Sequence, residues 1–449
     1  MHAENEPMST QVKHREIWRI AYPIILGSIV QNVISVTDTA FLGHVGEVEL
    51  GAAALGGVFY LTLIMLALGF SIGTQIIVAR RFGERQWNAI GTTVEHTLGF
   101  LLLLAGVVFL LMRLFGAPLF QAVISSEIIY QASKDFLLMR IWGLFFAYTN
   151  FAFRAFYIGI GHTRVITFTT AFMALINVVL DYALIFGNWG FPKMGLEGAA
   201  LASVIAEASA LLFFIIYTRW FTRRNNYGLF HFSRFNGELF LRIFRVSLPM
   251  MMQNLLSFVG WFCFFIFVEK MGEMPLAISN VIRSIYVIML IPIMGFSSAT
   301  NTLVSQLIGQ ERNNEVPSLV AKVMRFCVLL VTILVTANML FPEHIVSVYT
   351  NNPELIAGAR PVLRVVSLAA LFLGAGLVLF SGVSGTGSTQ TSFVIEAIGV
   401  AVYVGITWIL THYVQNIAWV WAVEIYYGAF IGVVSYWYLV KGNWRNRVV

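Results

Sequence analysis

Apolar residues in this chain neither alternate nor keep to one narrow stripe. They run on for twenty or more positions at a time, and short polar segments rich in Gly, Pro, Asn and charge interrupt them. A helix needs about 20 apolar residues to cross a bilayer core. The pattern predicts twelve such helices, near 16–44, 52–81, 92–115, 127–156, 163–187, 195–221, 239–269, 277–307, 318–341, 354–382, 389–411 and 416–440. Trp18, Trp87, Trp189, Trp220, Trp419 and Trp437 fall near predicted ends, where amphipathic rings favour the membrane interface. The longest polar break, TRRNNYGLFHFSRFNGE at 222–238, lies midway along the chain. It predicts a linker between two lobes, 16–221 and 239–441, with polar tails at 1–15 and 442–449.

An internal repeat supports that division. Pro23 in AYPIILGS and Pro249 in SLPMMMQN stand 226 positions apart. The same offset of 226 relates Gly69 of GFSIGTQIIVARRFGER to Gly295 of GFSSATNTLVSQLIGQER. It also relates Gly161-His162-Thr163 to Gly387-Ser388-Thr389. Six helices per copy give both copies the same orientation, related by an axis along the membrane normal. Such folds carry their substrate path between the lobes and work by rocking one against the other. The predicted class is an all-α integral membrane protein with twelve transmembrane helices in two pseudo-symmetric six-helix bundles.

Composition narrows the function. Of 449 residues, 58% are hydrophobic and 11% charged, where soluble domains carry about a quarter charged. That excludes a cytosolic enzyme, a nucleic-acid binder and a disordered scaffold. The formal charge of +6 reflects membrane topology: 20 of the 28 Lys and Arg fall on one side of the predicted spans. The positive-inside rule puts that side, with both termini, in the cytoplasm. Residues 1–15 are polar and lead straight into a long span, so no cleaved signal is expected. Cys263 and Cys327 sit inside apolar runs and form no disulfide or zinc pattern. HExxH, Walker and GxSxG motifs are absent, so hydrolytic chemistry is not expected.

Ionisable residues inside a span cost roughly 2.5–3.5 kcal/mol each at the centre on insertion scales, and so need a reason. Asp38 in span one and Asp181 in span five are the clearest. Gln31 lies two turns before Asp38 on the same face, and Asn177 one turn before Asp181. Two carboxylates with amide neighbours in one lobe can form one polar pocket. A carboxylate in an apolar surround is poorly solvated when charged, which makes it a candidate proton carrier or part of an oxygen-rich cation site. The alternative is that each pins a neighbouring helix. In the second copy Asp38 becomes Phe264, Asn177 becomes Tyr403 and Asp181 becomes Thr407. The acidic pair therefore belongs to the first lobe alone.

Arg283 in span eight replaces Gly57 of the first copy. It either reaches toward Asp38 or snorkels to an interface. Arg140, Glu207, Glu396 and Glu424 also lie within spans, and structural pairing is the expected role. Glu95 and His96 are expected at a solvated or interfacial end, and His44 and His162 in loops. Pro23 permits a bend in span one, coupled to the charge of Asp38, or else marks a fixed kink or sits in the first turn of its helix.

With these residues in hand the chain resembles the multidrug and toxic compound extrusion (MATE) transporters over essentially its whole length. The run from Pro23 through Asp38-Thr39-Ala40 to Gly43-His44, with Asn177-x-x-x-Asp181, is similar to the DinF-like branch. The resemblance implies a secondary antiporter of the bacterial inner membrane, with both termini cytoplasmic, acting as a monomer. It implies export of small amphipathic or cationic drugs or toxic metabolites, with no organic cofactor and no nucleic-acid partner. The coupling ion would be H+, with Na+ at Asp38, Asn177 and Asp181 as the other choice. Gln31, Asn177, Asp38 and Asp181 match the coupling positions, and Pro23 the bending proline. Span six departs from related sites: it reads EGAALAS, with Ser203 the nearest hydroxyl. Span seven has Gln253 and Asn254 where other branches carry a carboxylate. A flippase of lipid-linked intermediates in the same superfamily is the rival reading.

Overall fold

A computed structural model of the protein describes residues 13–124, 126–225, 227–231 and 234–445. The predicted tails and linker fall partly outside them. Among the described residues every regular element is helical. This is what a bilayer requires, because backbone N–H and C=O groups find no water there and must pair within their own segment. Among the described residues eleven helices are long and apolar enough to cross a membrane, and a bent pair makes a twelfth when it is counted as one span.

The chain folds into two compact units. The first runs from Leu26 to Val259. It holds most of α1 (His14–Val45), then α2 (Glu47–Gly83), α3 (Trp87–Val123), α4 (Glu127–Arg140), α5 (Gly143–Gly159), α6 (Arg164–Phe186) and α7 (Leu196–Asn225). It ends with the first part of α8 (Gly237–Glu269). The second unit takes α1 through Ile25 and α8 from Gly260. To these it adds α9 (Glu273–Gly309), α10 (Val316–Leu340), α11 (Pro342–Ser347), α12 (Pro353–Gly385), α13 (Thr389–Ile409), α14 (Ile417–Trp421) and α15 (Val423–Lys441). The polar stretch 222–238 falls inside the first unit.

Two helices thus divide their packing between units, and the repeat glycines show how. In the first unit Gly69 of α2 faces the backbone of Met250 and Met251 on α8, so closely that a Cβ at 69 would strike main-chain atoms. In the second unit Gly295 of α9 faces Ile25 and the Ala21 carbonyl of α1. The two crossings are counterparts in the repeat. The GFS motifs are therefore places where a proline-bearing helix crowds a glycine, through its backbone at Gly69 and through the Ile25 side chain at Gly295.

Several expectations need revising. Span four is broken: α4 and α5 meet at 49°. Pro23 is not a first-turn proline, because α1 begins at His14 and runs on through it. Its ring removes the N–H that would donate to the carbonyl of residue 19, so the backbone freedom it gives lies in a helix interior. His44 is not in a loop. It closes α1, with Nδ1 2.7 Å from the Ala40 carbonyl oxygen. His162 does lie between α5 and α6, with Nε2 3.0 Å from the Tyr217 hydroxyl.

Glu95 and His96 are not simply solvated. Glu95 accepts the His231 N–H at 2.9 Å, and His96, which is buried, accepts the Asn236 N–H through Nε2 at 2.8 Å. Nδ1 of His96 faces the Thr92 carbonyl at 2.8 Å, which makes it the protonated nitrogen of that ring. Backbone donors of an irregular segment need such acceptors, and span three supplies them.

Candidate functional site

The site lies in the first unit, on a cavity of about 310 Å³. Helix α1 presents Gln31, Ser35 and Asp38 to it at helical spacing, and α6 presents Asn177. One turn beyond Asn177, Asp181 is fully buried behind this wall. The carboxyl groups of Asp38 and Asp181 come within hydrogen-bonding reach of each other. The two acids that the sequence placed on separate helices therefore meet, with Asn177 beside them.

Their hydrogen bonding is incomplete. Oδ1 of Asp38, both carboxylate oxygens of Asp181 and both amide atoms of Asn177 are buried without a partner among the described residues. An ionised carboxylate only accepts, so two of them cannot satisfy one another. One shared proton turns their contact into a hydrogen bond. Buried polar atoms left unmatched are costly, and this cluster needs a proton, a cation or a polar ligand to relieve it.

A second cluster shares the cavity wall. Arg140, the last residue of α4, grips Glu207 of α7 with two hydrogen bonds, Nη1 to Oε2 at 2.9 Å and Nη2 to Oε1 at 2.6 Å. Tyr60 of α2 donates its hydroxyl to Glu207 at 3.2 Å and lies under the guanidinium, 3.8 Å from the ring centroid. Asn150 of α5 donates to the Glu207 carbonyl at 3.0 Å. The break after Arg140 makes room for all this. A Cβ at Gly143 would land on Arg140 Nη1, Glu207 Oε2 and the Tyr60 hydroxyl together. Pairing was expected of Arg140 and Glu207, but a place in the Asp38 cavity was not. One signal was available: the repeat puts Val366 and Val433 at their counterparts, the same one-sided loss seen for the acids.

The second unit fills the corresponding positions instead. Phe264, counterpart of Asp38, is fully buried and packs on Trp421 at 4.8 Å between centroids. Tyr403, counterpart of Asn177, donates to Glu424 at 2.8 Å, as does Tyr286, counterpart of Tyr60. Glu396 accepts from Tyr427 at 2.7 Å. Here rings and satisfied carboxylates stand where the first unit has a cavity. Arg283 belongs to this second unit and is exposed, with its guanidinium 5.4 Å from the Phe265 ring centroid. Gln31 is exposed on α1 at the cavity.

A duplicated helical shell, with an acidic cavity in one copy and aromatic rings at the counterpart positions of the other, defines a polytopic membrane protein with an asymmetric polar site. The pattern of the MatE family matches residues 23–183 and 249–409, which are the two repeats at their offset of 226. The chain belongs to the MatE family. It is 23% identical over 441 residues to a probable multidrug resistance protein NorM of Thermotoga maritima, covering 97% of this chain and 94% of that one. It is 24% identical to the probable multidrug resistance protein YoeA of Bacillus subtilis, over 94% and 93% of the two chains. It is 23% identical to DNA damage-inducible protein F of Escherichia coli, over 76% and 74%. Among solved structures, a MOP superfamily transporter from Pyrococcus furiosus superposes with a TM-score of 0.89 at 20% identity, over 97% of each chain. A MATE structure in the straight conformation superposes at 0.87 and 21% identity, over 95% of each chain. These likenesses establish the fold.

Proposed function

We propose that this protein is a secondary active efflux transporter that exports amphipathic, cationic small molecules across the bacterial inner membrane in exchange for protons. The observation that carries the reading is the meeting of Asp38 and the buried Asp181 at the wall of a cavity large enough for organic cargo. The names of the relatives from Thermotoga maritima and Bacillus subtilis support drug export as the class.

Cargo and protons compete for the same negative charge. A cation held against Asp38 is released when the acid pair takes up protons, because its counter-charge is then gone. Asp38 and Pro23 lie on one helix, fifteen residues or about four turns apart. Neutralising Asp38 removes the need to keep its part of α1 turned to the polar wall, and Pro23 lets that part bend. Transport requires such a difference in affinity between states.

Protons are favoured over sodium because the two carboxyl groups are close enough to share a hydrogen bond, which needs a proton on one of them. The test is cargo counter-flow in proteoliposomes, with proton and sodium gradients imposed separately. A proton gradient alone is expected to drive uptake. Uptake that follows the sodium gradient and ignores pH overturns the assignment of the ion.

A further inference from the structure

We propose that the Arg140–Glu207 pair determines which cargo charge the cavity accepts, by keeping Arg140 compensated so that Asp38 and Asp181 present their negative charge to a cation. The inference rests on the cavity being the cargo site.

Three observations carry it. The pair stands on the cavity wall with Asp38, and Arg140 is near enough to Asp38 for the two charges to act on each other. Three separated segments build it: Tyr60 from α2, Arg140 from the end of α4 and Glu207 from α7, with Gly143 keeping the space clear. Only 13% of the Arg140 side chain and 14% of the Glu207 side chain are exposed. Finally, the second repeat has Val366 and Val433 at these positions, and there α12 runs unbroken where the first repeat bends between α4 and α5, so the pair is a feature of the cavity-bearing copy alone. Apolar residues commonly replace a partly buried ion pair with no loss of stability, so packing alone does not explain charges here.

Without Glu207, Arg140 would add an uncompensated positive charge to the cavity and oppose a cationic cargo. Without Arg140, Glu207 would add a negative charge and favour it. With both neutralised, the balance at Asp38 and Asp181 returns to that of the natural protein. Glu207 and Arg140 are therefore specificity-determining through their sum, and no direct contact with cargo is required.

The test is equilibrium binding to purified full-length protein at fixed pH and ionic strength. The probes are tetraphenylphosphonium and the neutral triphenylphosphine oxide. Glu207→Gln is expected to weaken tetraphenylphosphonium binding by roughly tenfold or more, the scale of one charge about 10 Å away in a medium of effective dielectric near 20. Binding of the neutral probe should change less than threefold. The double variant Arg140→Gln/Glu207→Gln should return cation binding to within about threefold of the natural protein, which a merely structural role would not do. Cation binding by Glu207→Gln at the natural level, or a double variant as weak as the single one, overturns the proposal. If Glu207→Gln does not fold, Arg140→Gln alone decides: tighter cation binding supports the proposal, and unchanged or weaker binding overturns it. Failure of the natural protein to bind the cation at all would instead remove the cargo-site reading, and this inference with it.

Discussion

Gly143→Ala puts one methyl group at the break between α4 and α5, where structure and function meet most tightly. The added Cβ would fall on Arg140 Nη1, Glu207 Oε2 and the Tyr60 hydroxyl at once. Each of these is the end of a side chain, but all three are tied to one another and cannot swing aside independently. Two effects compete. Alanine in place of glycine at the start of α5 favours the helix by up to about 1 kcal/mol. Overpacking a filled site costs typically about 1–3 kcal/mol, and loosening the Arg140–Glu207 grip adds to that. The net expectation is destabilisation of about 1–2 kcal/mol, together with weaker cation binding as the pair separates. The assay is denaturant unfolding in mixed micelles, with Gly99→Ala as the reference, because nothing lies within 4 Å of a Cβ at that α3 position. Gly99→Ala should be neutral or slightly stabilising. A Gly143→Ala protein at least as stable as Gly99→Ala would refute the steric reasoning.

Glu424→Ala should destabilise the second unit without altering the charge of the cavity. It orphans the buried hydroxyls of Tyr286 and Tyr403, each at about 1–3 kcal/mol, and the same unfolding assay reads it. Pro23→Ala restores an N–H to the interior of α1 and stiffens it. Exchange should slow severalfold while equilibrium cation binding stays within about threefold; unchanged exchange would separate Pro23 from the transport motion.

The spans and the repeat were legible in the sequence because lipid imposes a coarse rule. Runs of about 20 apolar residues have few alternatives to a crossing helix, and both copies keep glycine at Gly69 and Gly295, where a neighbouring helix leaves no free room for a Cβ. Asp38 and Asp181 were legible for the opposite reason: a charge in lipid is too costly to be incidental. Their direct contact was not, since helical spacing gives the face of each helix and says nothing of which faces meet.

The Arg140–Glu207 pair was harder still. It joins positions 67 apart and depends on a break at 141–142 that apolar residues on both sides conceal. The division of α1 near Ile25 was also hidden, because one unbroken helix gives no sign that its two parts belong to different units. Replacement of Asp38 by Phe264 could be read from the repeat, but Trp421 as the ring that packs against Phe264 could not.

The most direct test of the central claim is proton-driven exchange of a fluorescent cationic dye in proteoliposomes, comparing the natural protein with Asp38→Asn across a range of pH. The account predicts that Asp38→Asn abolishes the response to an imposed proton gradient, since the acid at the cavity wall can no longer trade cargo for a proton. Exchange by Asp38→Asn at the natural rate, with the natural pH dependence, would contradict it.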